Sequence, residues 1–465
     1  MSAENNGAHG RPGIAELADA FRAGTLSPVE YTKQTLAEIQ RRSSLNAFVT
    51  VTPDLALKAA GEAEQRYRAG AELGPLDGVP IALKDVIYTK GVVTTKGCAA
   101  YDGFVPEEDA FIVKKLKAAG AVLVGKANTC QFAMGPMGDV SYGGPCRNPY
   151  DEQRISGGSS SGCASAVGGG IVPGGIGTDT GGSIRIPSSL CGCVGLKPTF
   201  TLVSNEGIMP LAISVDVAGP ITRSVRDNAI LLGAIAGYNQ NDVYSACLPP
   251  ADYTARIGEP LENTGVAMDP EMFSGDIAPD VRERLLAALK GLAAMGCRTK
   301  EISFPDVSGY RAAHQKILLA GGHQEHLRDM AEHRQFIYPQ VYGRLVNGAM
   351  DADEYIGYER EKNAFRRIMF ELMEGCDVLA LPSTPIAACR IGEDTVPLNG
   401  KQTEVITTYP RYTWIANYSG FPALSIPVGF TGEGMPVGLS LIARPFDEAN
   451  LYRIAAGVEK CCAGN

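Results

Sequence analysis

The segment from Gly157 to Pro198, GGSSSGCASAVGGGIVPGGIGTDTGGSIRIPSSLCGCVGLKP, constrains this chain more than any other. It opens on a glycine pair followed by Ser159, Ser160 and Ser161 and passes through a run of small residues. After Thr178-Asp179-Thr180 a second glycine pair leads into Ser183. Glycine permits positive φ and close approach of other backbone or of a ligand. Each Gly-Gly-Ser turn therefore reads as a place where an unusual backbone presents a serine. A flexible Gly/Ser linker would not interleave Ile171, Val172, Ile184, Ile186, Leu190, Val194 and Leu196 with the glycines, because those side chains require burial. The phosphate-binding patterns that glycine-rich turns otherwise signal, G-x-x-x-x-G-K-S/T and G-x-G-x-x-G after a strand, are absent from the segment.

A serine nucleophile needs a base. The five histidines, His9, His314, His323, His326 and His333, all lie far from Ser183 along the chain. Lys84 is the alternative, in Gly78-Val79-Pro80-Ile81-Ala82-Leu83-Lys84-Asp85. Ile81 to Leu83 is a short apolar run after a proline and reads as a buried strand. Burial lowers a lysine's pKa because the charged form loses hydration, and a neutral lysine can act as a general base. The competing reading of Lys84 is a side chain that snorkels outward and pairs with Asp85 at the surface.

GVPIALKD, GGSSSG and GTDTGGSIRIPSSLCGCVGLKP, with the interval between Ser159 and Ser183, resemble the amidase signature family. The similarity runs from about Thr25 to Lys460 and is weakest between about 245 and 375. The resemblance implies an α/β fold, a single domain with a central mixed β-sheet covered by helices on both faces. It implies a Ser–Ser–Lys triad: Ser183 as nucleophile, Ser159 as the bridging serine after a cis Gly158–Ser159 bond, and Lys84 as base. The backbone N–H groups of Thr180, Gly181, Gly182 and Ser183 would then form the oxyanion hole. The loop from Asn128 to Gly138 would line the acyl pocket, with Ala133, Met134, Gly135 and Ser159 at the substrate. Arg185 is assigned to the scaffold, with Asp179 as its partner. The implied reaction is cleavage of a small carboxylic amide through an acyl-enzyme, with no metal and no organic cofactor. The partner is the small-molecule amide, and a homodimer fits the family.

Two other functions compete with the free amidase. One is the glutamine-hydrolysing component of a tRNA-dependent amidotransferase, whose loop is similar to Asn128-Thr129-Cys130-Gln131-Phe132-Ala133-Met134-Gly135. That component usually continues with a serine- and asparagine-rich segment, where Pro136-Met137-Gly138-Asp139 stands here. The other is an inactive relative used as a binding scaffold, against which the presence of all three triad residue types argues.

The net charge of −9 over 465 residues argues against general affinity for nucleic acid or an anionic membrane. No run of 18 apolar residues suggests a membrane span, and no signal peptide is visible in the polar N-terminus. The twelve cysteines follow no short-repeat framework and read as reduced thiols of a cytoplasmic protein. Cys191-x-Cys193 lacks the second ligand pair of a zinc site.

Periodicity predicts a helix carrying Ile14, Leu17, Ala18 and Phe21, and another starting at Ser27-Pro28-Val29-Glu30 with Ser27 as N-cap. Helix followed by strand over Ala110–Val124 suggests α/β layering with much parallel pairing. The histidine-bearing stretch 310–375 reads as exposed polar helix. Runs at 424–429 and 436–442 read as a hairpin around 432–434. The expected layout is a loose tail over 1–12 and one domain over 13–465. Within it lie core motifs over 78–200, a variable helical region over about 245–375 and closing strands over 376–445.

Overall fold

The computed structural model describes residues 10–463. Thirteen strands occur among them: β1 (Phe48–Val51), β2 (Pro80–Lys84), β3 (Val122–Ala127), β4 (Gly174–Asp179), β5 (Val194–Lys197), β6 (Val217–Thr222), β7 (Gly265–Met268), β8 (Arg298–Glu301), β9 (Val378–Pro382), β10 (Thr395–Leu398), β11 (Lys401–Glu404), β12 (Ala423–Phe430) and β13 (Pro436–Ala443). Eleven form one sheet in the order β1-β3-β2-β4-β6-β5-β12-β13-β9-β7-β8, and β10 pairs with β11 alone. Two short parallel runs, β3-β2-β4 and β9-β7-β8, are joined through antiparallel neighbours. The sheet is thus mixed, and less parallel than helix–strand alternation suggests, because β6, β12 and β13 return antiparallel through its middle.

The helices that matter for the site are α1 (Ile14–Arg22), α2 (Pro28–Arg41), α3 (Pro53–Ala69), α4 (Phe111–Ala118), α5 (Ser161–Gly168), α6 (Arg185–Leu190) and α7 (Val225–Ile235). All four apolar positions of the α1 stripe are buried. Ser27 caps α2 by accepting from Glu30 N, with Pro28 in the first turn. Strand side chains alternate between faces, and β2 shows the consequence. Ile81 and Leu83 join a core cluster with residues of α1, α4 and α7, whereas Ala82 joins a second cluster with α2, α3 and α5. Both faces of the central strands are therefore dry, which explains why β2 and β4 are buried at every position.

Residues 1–9 of the tail expected over 1–12 lie outside the described residues. Arg223 donates to the carbonyls of Arg11 and Pro12, and Arg11 pairs with Glu38 at 3.1 Å. The histidine-bearing region departs from the sequence reading. It folds as helices Ser308–Glu325, Leu327–Glu332, Pro339–Val346 and Ala352–Leu372, and His314 and His326 are buried instead of exposed. The cause is tertiary: His314 sits against Trp414 and Tyr418, and His326 stacks on Phe132 with ring centroids 3.9 Å apart. Among the described residues, no helix is long and apolar enough to cross a membrane.

Candidate active site

Lys84 is the last residue of β2 and has no exposed surface. Its Nζ lies 2.7 Å from Ser159 Oγ and 2.7 Å from Thr178 Oγ1, so its partners are hydroxyls and not a carboxylate. Burial pushes its pKa down to about 8, and the more distant Cys130, Cys163, Asp179 and Asp216 offset this only in part. The surface-pair alternative fails on strand geometry. Asp85 follows Lys84 and points the other way, where it accepts from Thr95 N and Oγ1 and faces Lys126 Nζ at 4.0 Å. Thr178 escaped the sequence reading. Its signal is register: β2 pairs in parallel with β4 at Leu83↔Ile176, which brings Lys84 level with the end of β4.

The three serines after Gly158 have separate fates. The Gly158–Ser159 bond is cis, and Ser159 is fully buried with its Oγ on Lys84. Ser160 Oγ donates to Thr178 O and accepts from Thr178 N, which ties α5 to β4. Ser161 Oγ donates to Asn128 O. The five residues Gly158–Gly162 spell the nucleophile-elbow pattern G-x-S-x-G around Ser160, yet the Ser160 hydroxyl is committed to backbone and buried. Only Ser159 is directed to the lysine.

Ser183 is half-buried and stands just before α6. Its carbonyl accepts from Ser160 N at 3.1 Å, which sets its backbone beside the serine turn. Among the described residues its Oγ makes no hydrogen bond. The fold therefore closes the Lys84–Ser159 contact and brings Ser183 alongside, leaving the contact between the two serine hydroxyls open.

The turn that carries Ser183 is held by Asp179. Its carboxylate accepts from Gly182 N at 2.7 Å, Ile184 N at 3.1 Å, and Arg185 Nε and Nη2 at 3.0 and 2.9 Å. Arg185 extends the lattice to Thr413 O and Asn417 Oδ1. Burial pushes the Asp179 carboxyl up, but the Arg185 charge and the hydrogen bonds from Arg185 and Asn417 outweigh it and hold the group well below the usual carboxylate range. Arg185 is thus a scaffold residue, as its neighbourhood in the sequence suggests.

The oxyanion set needs one correction. The Gly182 N–H is consumed by Asp179, so it cannot serve a ligand. Among the described residues, the N–H groups of Thr180, Gly181 and Ser183 donate to no protein acceptor. The carbonyls on either side are also fixed: Thr180 O by His314 Nε2 at 3.0 Å and Gly181 O by Thr413 Oγ1 at 2.6 Å. Gly182 has φ +130°, and a Cβ there would lie 2.2 Å from Thr413 Oγ1, so the position requires glycine. Thr180 Oγ1 donates to Asp216 at 2.6 Å, and Leu211 N and Ala212 N donate to the other Asp216 oxygen. Burial raises the Asp216 carboxyl to about 6.

A cavity of about 280 Å³ opens beside Thr178 and Thr180. Ala133 lines it, together with Phe200, Ile208, Met209, Leu211 and Tyr244. The expected contacts Met134 and Gly135 do not line this cavity, and neither do Ser159 and Ser183. Met134 is buried against Gly322, and its carbonyl accepts from Arg344 Nη1 at 3.1 Å. Gly135, at φ +150°, lies against Cys130 and Arg344. Residues 131–133 form a single tight turn, with Phe132 and Ala133 both at positive φ. A second cavity, of about 360 Å³, lies between α3 and β3 and shares no lining residue with the first. Among the described residues, no group of three His, Cys, Asp or Glu is placed to hold a metal ion.

The model of the family described as Amidase matches residues 30–452. The chain is 36% identical over 474 residues to the A-type component of glutamyl-tRNA(Gln) amidotransferase from Geobacter sp. (strain M21), covering 96% of each. It is 38% identical over 467 residues to the protein of the same name from Hahella chejuensis, covering 95% of each. Among solved structures, a vestigial protein complex described as revealing the origins of an s-triazine catabolic enzyme matches with TM-score 0.92 and 31% identity, over 97% of this chain and 98% of that one. The native peptide amidase from Stenotrophomonas maltophilia matches with TM-score 0.84 and 30% identity, over 97% of both chains. With the family model spanning most of the chain and relatives aligned over nearly all of it, this protein belongs to the amidase signature family.

Proposed function

We propose that this protein hydrolyses a carboxylic amide C–N bond of a small substrate, with Ser183 as nucleophile, Ser159 as proton relay and Lys84 as base. The observation that carries the reading is the buried Lys84 Nζ, held by two hydroxyls with no carboxylate partner and with its pKa lowered to about 8. A lysine in that setting spends a useful fraction of its time neutral near pH 7 to 8. Neutral Lys84 takes the Ser159 proton as Ser159 takes the proton of Ser183, and Ser183 Oγ adds to the carbonyl carbon. The N–H groups of Thr180, Gly181 and Ser183 receive the developing oxyanion, where each donor typically contributes about 10²–10³ in rate. Ser159 returns a proton to the leaving nitrogen, the C–N bond breaks, and ammonia or an amine departs. Water then adds to the acyl-enzyme by the same relay and frees the acid.

The reading is tested by mass spectrometry of the intact protein after a fluorophosphonate probe, followed by peptide mapping. The expected result is one adduct on Ser183, absent from Ser183→Ala and strongly reduced in Lys84→Ala and Ser159→Ala. A folded protein that takes no adduct leaves the scaffold reading standing. Ammonia release from a panel of amides, ureas and glutamine then assigns the substrate class.

A second reading, the glutamine-hydrolysing component of an amidotransferase, has its own support. The relatives from Geobacter and Hahella carry that name. Glutaminase activity that appears only with co-purified partner chains would favour this reading; turnover of simple amides by the isolated chain favours the first. The twelve free cysteines support a reducing compartment, as expected for a cytoplasmic enzyme.

A further inference from the structure

We propose that His314 is a positioning residue that aims the Gly181 N–H at the oxyanion, an inference that rests on the Ser183 nucleophile reading above. His314 comes from helix Ser308–Glu325, more than a hundred residues beyond the serine motifs. It is buried at 4% exposure, and its Nε2 meets Thr180 O at 3.0 Å. A carbonyl oxygen only accepts, so the contact fixes the Nε2–H tautomer.

The consequence follows from peptide geometry. Thr180 C=O and Gly181 N–H belong to one trans peptide plane and point in opposite directions. Holding the carbonyl on His314 therefore turns the Gly181 N–H away from the helix and frees it from protein acceptors. Thr413 does the same to the next plane through Gly181 O, but there the N–H belongs to Gly182 and is taken by Asp179. The His314 plane is the one that delivers an unspent donor.

Three further features fit this role. A Cβ on Gly181 would stand 3.1 Å from His314 Cε1, so glycine lets the ring come this close. The ring is braced by Trp414 and Tyr418, with centroids 6.2 and 6.1 Å away. Burial pushes the imidazole down to about 4, outweighing the raising effects of the Thr180 contact and Asp179, so the ring is neutral in the working range. It orients the peptide by hydrogen bonding and adds no charge that would compete with the oxyanion.

The test compares His314→Phe, which keeps a flat ring between Trp414 and Tyr418 but removes the donor, with His314→Gln, whose amide nitrogen can occupy the Nε2 position. The readouts are the maximal rate and half-saturation of fluorophosphonate labelling at Ser183, and the Gly181 signal in ¹⁵N-glycine spectra of the whole chain. His314→Phe is expected to lower the maximal rate by about 10²-fold with little change in half-saturation. His314→Gln is expected to recover most of the loss, and the Gly181 amide should shift in His314→Phe. A folded His314→Phe protein that labels at the wild-type rate overturns the assignment, as does a loss that His314→Gln shares in full. If the wild-type protein takes no probe, the nucleophile reading fails. The His314 contact is then judged on the spectra alone, where an unmoved Gly181 amide overturns it.

Discussion

Lys84 and Ser160 define opposite ends of what a buried polar residue can do in this site. Lys84 is buried with hydroxyl partners only, so its charged form is disfavoured. A general base typically contributes 10²–10⁴ in rate, and Lys84→Ala is expected to cost about 10³-fold in turnover, read by ammonia release at pH 7.5. The pH dependence has a definite sign. If Lys84 is the base, as proposed, the unprotonated amine is the active form, and the rate is expected to fall about tenfold per unit below pH 8 and level off above it. In stability the sign is linked. Between about 8 and the ordinary 10.5, the unfolded chain holds a proton that the folded one lacks, so this group favours folding increasingly as pH rises through that window. Ser160 has no such role. Ser160→Ala should leave labelling of Ser183 intact while costing about 1–3 kcal/mol of stability, because the Thr178 backbone loses its buried partner. Denaturant titration measures that cost.

At the level of elements, the decisive unit is the turn between β4 and α6. The Asp179–Arg185 pair closes it, with both side chains almost wholly buried. Removing one member of such a pair leaves an unpaired buried charge and typically costs about 3–5 kcal/mol. Arg185→Met should therefore lower the thermal midpoint sharply, and Asp179→Asn combined with it should recover part of the loss. Gly182→Ala is expected to abolish labelling of Ser183 even where the protein folds, because the side chain meets Thr413 and the φ is unfavourable. Sequence patterns read well here wherever they are local. The α1 stripe, the Ser27 cap and the β12–β13 hairpin are all in place. Helix Ser308–Glu325 was legible as helix but not in its burial. Its polar residues match a surface helix, and only its docking beside Trp414 turns His314 inward.

For the whole molecule, the sheet sets what is reachable. β2 and β4 are central and covered on both faces, so Lys84 and Thr178 meet inside the protein while Ser183 stays half-buried at the strand end. The same packing protects the thiols. All twelve cysteines are unpaired, and Cys247 is the exposed one. A disulfide-exchange reagent should titrate Cys247 rapidly in the native protein, Cys461 more slowly, and all twelve after unfolding. Fast reaction of several thiols under native conditions would contradict this core. Reductant should leave stability unchanged.

By itself the sequence determined the family, the triad candidates and the layered α/β class, because those depend on contiguous motifs and local periodicity. Gly-Gly-Ser turns, a lysine ending an apolar run and the Asp179–Arg185 spacing all sit within short stretches. The resemblance named Ser159 as the bridging serine, but only the tertiary structure shows what the neighbouring hydroxyls do: Ser160 is held by the Thr178 backbone and Ser161 by Asn128 O, while Ser159 meets Lys84. Tertiary structure also decided that Gly182 N–H is spent on Asp179, that Thr178 shares the lysine, and that His314 holds the Thr180 carbonyl. Each of those depends on hydrogen-bond direction or on a contact between distant segments. Such contacts form only when the sheet register and the docking of the later helices are in place, and no local pattern encodes them.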